Sequence, residues 1–384
     1  MEICKHNEFC GGCIHQGISY AAQVTAKGKE VLRLLKDKGV EYDKYLGIEG
    51  SPKQYRYRNK MEYTFGDMVK DGEIMLGMHQ KGRFMNIVTV DECQLVDEDF
   101  NTILSATLQF CREKGYKLYH KKSHQGFLRH LIIRKGERTG ELLVNIVTSS
   151  QAQLDEASYA GRLLSLPLEN KIVGILHTFN DNLADFVHCE KLETIWGRDY
   201  YMETIMNLNF KVSAFSFFQT NVEAVEKLYS EALSLIDDFD EKTVFDLYCG
   251  TGTITQTLAL RCKKAIGIEI VPEAVKAAKE NATLNHLGNC EFIAGDVFEV
   301  LDAVTEKPDI IVLDPPRIGI HPKALPKIMA YGVKQILYIS CNPKTLAMNL
   351  AEMQEYGYQV KTLKAYDNFP MTKHCECIVE LYRK

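Results

Sequence analysis

From about Thr243 to the C-terminus the chain repeats one grammar: a short apolar run, a turn built on Gly or Pro, and a segment of helix length. Residues 243–248 are the first such run, Cys249-Gly250-Thr251-Gly252 turns it, and a helix is expected through residue 260. Residues 265–269 repeat the strand and 272–285 the helix, with Pro272 in the first turn, where an N–H has no intrahelical partner to lose. Residues 309–313 and 336–339 are further strands of the buried type. Strands alternating with helices assemble into a parallel doubly wound sheet, and such sheets bind ligands outside the carboxyl ends of their strands.

Upstream the pattern differs. Residues 60–65, 74–79, 131–134 and 141–147 alternate or concentrate β-branched and aromatic residues between Gly and Asp turns, and helical periodicity runs over 21–38 and 98–114. The predicted fold class is therefore α/β: a C-terminal doubly wound Rossmann-like sheet with an N-terminal and central β-rich α+β region. At roughly 150 residues per domain a chain of 384 residues has room for more than one core, and segments 1–45, 46–210 and 211–384 are expected.

No apolar run approaches the ~18 residues of a membrane span, and the first eight residues lack the apolar core of a signal peptide, so a cytoplasmic chain is expected. In that reducing compartment, twelve cysteines call for a use other than disulfides. Cys4, Cys10 and Cys13 form a C-x5-C-x2-C pattern around Gly11-Gly12, and the next cysteine is Cys93. Converging thiolates select zinc or an iron–sulfur cluster, and His6 and His15 keep zinc open. Cys111, Cys189, Cys262 and Cys290 read as small core hydrophobes.

Net charge is −5, from 46 Lys+Arg and 51 Asp+Glu, but it is uneven. Between Arg112 and Arg138 nine cations stand against two acids, and Lys53, Arg56, Arg58 and Lys60 interleave with Tyr55 and Tyr57. Positive charge among aromatics suits a phosphate backbone with unstacked bases; solvated strand and helix faces are the other reading.

In the C-terminal half, Asp246-Leu247-Tyr248-Cys249-Gly250-Thr251-Gly252 ends a strand and opens a helix. Glu269, at the tip of the next strand, can accept hydrogen bonds from both hydroxyls of a ribose. The third glycine of a dinucleotide fingerprint would fall at position 255, which is Thr255. A cofactor without a pyrophosphate does not need it, which favours S-adenosyl-L-methionine, with Asp296 placed for the adenine amino group.

Asp314-Pro315-Pro316-Arg317 closes the fourth strand, its prolines holding the carboxylate in one direction. Ser340-Cys341-Asn342-Pro343 puts a thiol at the carboxyl end of the fifth. A thiolate there explains methylation at carbon five of a uracil: addition at carbon six turns the ring into an enolate. A base must then take the carbon-five proton so that sulfur can leave, and Glu376, in His374-Cys375-Glu376-Cys377, is the leading candidate. In Ser216-Phe217-Phe218-Gln219-Thr220-Asn221 one phenylalanine is expected to stack on a flipped base and the other to pack in the core.

These motifs, in this order, resemble the bacterial RNA uracil-C5 methyltransferase family, and the likeness covers most of the chain. It implies Cys341 as nucleophile, Glu376 as base and Asp314 as a catalytic ligand of the uracil edge; Phe217 and Arg317 would contact the base. Gln219, Asp246, Tyr248, Gly250, Gly252, Glu269, Asp296 and Asp314 would line the cofactor cleft. Cys4, Cys10, Cys13 and Cys93 match the family's ligands of a 4Fe-4S cluster, which would make 1–45 an iron–sulfur segment, 46–210 an RNA-binding domain and 211–384 the catalytic domain. Cluster-bearing members mostly modify 23S ribosomal RNA, although the cysteines begin at position 4, with no room for the N-terminal β-barrel many of those carry.

The expectation is thus a monomeric enzyme that methylates 23S ribosomal RNA, with the transfer RNA T loop as the alternative substrate. An amino-group methyltransferase with an Asp-Pro-Pro motif would not need Cys341. A redox-responsive iron–sulfur RNA-binding protein would have no use for a nucleophile paired with a base.

Overall fold

The computed structural model describes residues 3–70, 72–184 and 186–383; Met1 and Glu2, which begin the stretch read above for a signal peptide, lie outside them. By contact the chain divides into two compact units: Met1–Gly17, Gln54–Thr204 and Lys211–Phe215 form one, and Ile18–Lys53, Ile205–Phe210 and Ser216–Lys384 the other. The expected boundary at 45 kept the cysteines with the helix that follows them, and the structure separates the two. Helix Tyr20–Asp37 and strand Tyr42–Glu49 join the second unit, where Tyr42–Glu49 pairs in parallel with Tyr358–Tyr366.

The second unit is built on an eight-stranded sheet. From edge to edge its strands are Tyr42–Glu49, Tyr358–Tyr366, Glu376–Arg383, Gln335–Ser340, Ile310–Leu313, Thr243–Leu247, Lys264–Glu269 and Cys290–Ala294. All pair in parallel except Glu376–Arg383, which runs antiparallel to both neighbours. The central strands Ile310–Leu313 and Gln335–Ser340 are buried along their whole length and mostly apolar, as suits strands covered on both faces. Phe245, Ile311, Leu313, Ile336 and Tyr338 anchor the core with Leu346 and Leu350 from helix Pro343–Glu355. Carboxyl ends of the seven parallel strands, together with the first residue of the antiparallel one, therefore gather at one rim of the sheet.

The first unit holds a seven-stranded sheet in the order Arg83–Thr89, Met75–Gln80, Lys60–Gly66, Leu128–Lys135, Glu141–Thr148, Lys171–Phe179 and Lys191–Gly197. It is antiparallel apart from the pairing of Glu141–Thr148 with Lys171–Phe179. Helix Glu98–Glu113, capped by Asp97, packs Phe100, Ile103, Leu104 and Cys111 into a core with Tyr63 and Leu131. Among the described residues no helix is long and apolar enough to cross a membrane.

Candidate functional site

Strand Thr243–Leu247 runs into Tyr248, whose backbone is left-handed (φ 71°) and whose buried hydroxyl has no hydrogen-bond partner among the described residues. Such a conformation in a bulky residue costs on the order of 1 kcal/mol and persists where a site requires it. Gly252 (φ 78°) starts helix Thr253–Ala259, and a Cβ on it would lie 2.7 Å from Phe292 and 2.9 Å from Ala278. At Gly250 a Cβ would meet nothing within 4 Å, so the turn faces open space.

Glu269 accepts the backbone N–H groups of Gly250 (3.1 Å) and Val271 (2.9 Å), and Asp296 accepts that of Phe298 (2.8 Å) as the cap of helix Val297–Val300. A carboxylate offers about four lone-pair sites, so both retain capacity toward a ligand. Asp246 behaves differently: it is fully buried, Oδ2 accepts the Thr255 hydroxyl at 2.5 Å, and Oδ1 has no partner among the described residues. Burial pushes its carboxyl up to about 8. Thr255 thus occupies the third-glycine position with a hydroxyl that anchors Asp246, a role that motif spacing did not reveal.

Pairing between Gln335–Ser340 and the antiparallel final strand ends with Ser340 opposite Cys377. The next residue along each strand is Cys341 on one and Glu376 on the other, so thiol and carboxyl come from adjoining strand ends. Glu376 is buried and its carboxyl pushed up to about 8, mainly by that burial. Asp314 is half-buried and also pushed up to about 8, by burial and then by Glu376. Burial, followed by the charges of Glu376 and Asp314, pushes the half-buried Cys341 thiol up to about 12, and Arg317 opposes the shift. Arg317 donates to His374 Nδ1, and its carbonyl accepts Asn342 Nδ2 at 2.8 Å and the Thr345 hydroxyl at 3.3 Å. These bonds tie the loop after Asp314 to the turn that carries Cys341.

Tyr229 escaped the sequence reading. It lies inside helix Val222–Ser234, where an aromatic reads as core, yet its hydroxyl bonds Gln219 Nε2 at 3.1 Å. Burial raises this phenol well above its ordinary range, with Asp314, Asp246 and Glu376 adding to the effect, which sets it among the three carboxyls. The two phenylalanines divide: Phe217 is 70% exposed, while Phe218 is buried with its ring 5.7 Å from that of Phe210. The rim therefore combines a thiol, carboxyls made more basic by burial, and an exposed aromatic ring.

In the other unit, Cys4, Cys10, Cys13 and Cys93 are all half-buried. Burial, with the neighbouring thiols adding to it, pushes the Cys13 thiol up to about 12 and that of Cys93 up to about 11; Cys4 and Cys10 contribute to both, and Cys93 to Cys13. The four thiols thus share one electrostatic neighbourhood. The Gly12 N–H points at Cys10 Sγ (3.3 Å), the kind of contact that favours thiolate. Backbone bonds Gly11 N–H to His79 O and Lys81 N–H to Phe9 O hold this loop on the strand Met75–Gln80 and its turn. Among the described residues no three of these sulfurs lie within 4.8 Å of one another. Glu156, His177 and Glu193 do come that close, but Glu156 and Thr148 engage the two ring nitrogens of the buried His177.

The basic stretches are less available than their composition implied. Lys53 pairs with Glu223, Arg56 with Glu98, Lys60 with Glu62, Arg112 with Glu73, Lys114 with Asp155 and Lys135 with Asp97. Arg134 is buried, and Arg129 is spent on the carbonyls of Asn180, Asn182 and Ala184.

A family model described as tRNA (uracil-5-)-methyltransferase matches residues 19–384. An uncharacterized RNA methyltransferase of Clostridium tetani is 52% identical over 375 residues, covering 98% of this chain and 82% of its own. One from Clostridium acetobutylicum is 49% identical over 381 residues, covering 99% and 84%. Among solved structures, the Pyrococcus abyssi tRNA (uracil-54, C5)-methyltransferase in complex with S-adenosyl-L-homocysteine superposes with a TM-score of 0.79. It is 27% identical, with 97% of this chain and 86% of that one covered.

Proposed function

The chain belongs to the tRNA (uracil-5-)-methyltransferase family, and from that premise we propose that it methylates carbon five of a uridine in 23S ribosomal RNA, with S-adenosyl-L-methionine as methyl donor. The observation that carries the reading is the placement of Cys341 and Glu376 on adjoining strand ends with Asp314 alongside. Cys341 gives its proton to solvent and adds as thiolate to carbon six of the uracil, and the electron pair of the C5–C6 double bond moves into the enolate through oxygen four. Asp314 holds the uracil edge. When bound, the donor supplies the methyl group to carbon five. Glu376 then takes the carbon-five proton, and the electron pair left behind expels Cys341. A carboxyl raised to about 8 is a far stronger base than an ordinary carboxylate, which this step requires.

Several features support a nucleoside at the glycine turn: open space at Gly250, spare capacity on Glu269 and Asp296, and the unpartnered Asp246 Oδ1 and Tyr248 hydroxyl. Gln219 and Gly252 complete the proposed cofactor set, and Phe217 and Arg317 the proposed base contacts. We assign the catalytic role to the C-terminal unit and RNA binding to the unit that carries the cysteines. Cys4, Cys10, Cys13 and Cys93 would hold a 4Fe-4S cluster with a structural role, since methyl transfer moves no electron to a metal. Iron and sulfide analysis after anaerobic purification tests this.

The four-cysteine set supports 23S ribosomal RNA as substrate. Transfer RNA is the second reading, favoured by the likeness to the Pyrococcus abyssi enzyme. Offering labelled donor to ribosomal and transfer RNA from cells lacking the protein separates them: the substrate accepts label at carbon five of one uridine, and the other RNA does not.

A further inference from the structure

The hairpin of Met75–Gln80 and Arg83–Thr89 forms one edge of the seven-stranded sheet, and its register breaks near the tip. His79 pairs with Ile87, yet Gln80 pairs with Arg83, so Phe84, Met85 and Asn86 are looped out of the edge strand. Phe84 is 67% exposed and Met85 53%. Large apolar side chains on an exposed edge invite aggregation, and natural edges normally avoid them. Bulges recur where a strand re-aims side chains beside a functional site.

Cations surround the pair. Lys121 Nζ lies 5.5 Å from the Phe84 ring centroid, and His79 stacks on that ring at 4.3 Å with planes 12° apart. Lys81 and Arg83 flank the tip, and Lys122 follows Lys121. The side chains of Arg83 and Lys122 are exposed and make no ion pair or hydrogen bond among the described residues. Segments 79–90 and 114–136 contain no Asp or Glu. The charge of Arg83 and Lys122 is therefore unspent, unlike that of Lys114, Arg129 and Lys135.

We infer that this bulged edge is a stacking platform for an unpaired base of the RNA substrate, with Arg83 and Lys122 on the phosphates beside it. Single-strand recognition asks for a π-face on which any base can lie and cations that follow the backbone, and both are present. Protein interfaces deplete lysine at their cores, so the same charge disfavours a protein partner. The inference rests on the RNA-methyltransferase reading for its class of ligand and goes beyond it in locating a non-reacting base.

The test is fluorescence anisotropy, without cofactor, using a labelled oligouridine of about 12 nucleotides, within the site sizes of such surfaces. Phe84→Ala should weaken binding about tenfold while Phe84→Trp restores it, as base stacking on an aromatic predicts. Arg83→Ala and Lys122→Ala should each reduce the slope of log affinity against log salt by about 0.7, the value for one phosphate contact on a single strand. Unchanged melting temperatures establish that the variants are folded. Failure of the wild-type protein to bind the probe overturns the inference. So does wild-type affinity in Phe84→Ala with unchanged salt slopes in the other two, the result expected if a protein partner covers this edge. Because no turnover is read, either outcome leaves the methyltransferase reading to be judged separately, by label transfer to RNA.

Discussion

Replacing Glu376 by Gln should separate methyl transfer from release. The amide keeps the shape of the buried side chain but cannot accept the carbon-five proton, so the methylated RNA should stay bonded to Cys341. A positioned general base contributes about 10²–10⁴-fold, and the lifetime of the adduct should lengthen by that factor. The wild-type pH dependence follows from the same residue. With its carboxyl pushed up to about 8 by burial, roughly one molecule in ten has Glu376 ionised at pH 7 and one in a hundred at pH 6. Breakdown of the adduct should therefore rise about tenfold from pH 6 to 7 and level off above pH 8. Single-turnover reactions with labelled RNA, quenched in denaturant and resolved on denaturing gels, give formation and decay separately. Decay that is flat from pH 6 to 9, or turnover of Glu376→Gln at the wild-type rate, would refute the assignment of the base.

Arg317→Gln removes the cation that opposes the upward shift of Cys341, so adduct formation should move to higher pH in the same assay; an unmoved profile would remove Arg317 from the account. Thr255→Val strips the hydroxyl from buried Asp246 and should cost about 1–3 kcal/mol in denaturant unfolding, with Thr255→Ser restoring most of it. Asp246 and Glu376 bind protons more tightly folded than unfolded. Their stabilising contribution is thus complete below about pH 4 and lost as pH rises through about 8, the folded value. For these two groups the double variant Asp246→Asn, Glu376→Gln should show a flatter melting temperature between pH 5 and 8 than the wild-type protein.

The C-terminal sheet was legible because its signals are local. Each apolar run, glycine turn and helix lies within about thirty residues, and Thr243–Leu247, Lys264–Glu269 and Pro272–Leu284 fall within a residue or so of their expected bounds. What escaped was long-range. Nothing near Tyr42 indicates that its strand pairs with one beginning at Tyr358. The motif of Glu376 reads as a carboxylate before a strand, but only the antiparallel insertion of that strand beside Gln335–Ser340 brings it to Cys341. Tyr229 has the period of a core residue and keeps a polar tip among carboxyls. The basic stretches misled for a related reason: Lys135 and Arg112 find their acids in Asp97 and Glu73, 38 and 39 positions away, so a count of charge along the chain overstates what solvent or RNA can meet.

The covalent intermediate on Cys341 can be captured directly. RNA in which 5-fluorouracil replaces uracil has no carbon-five proton for Glu376 to remove, so the reaction should stop at the adduct. Peptide mass spectrometry of the trapped complex should find methylated 5-fluorouridine bonded to the peptide that contains Cys341, and none in Cys341→Ala. Methylation of unsubstituted RNA with no trapped species, or an adduct on a different residue, would contradict the account.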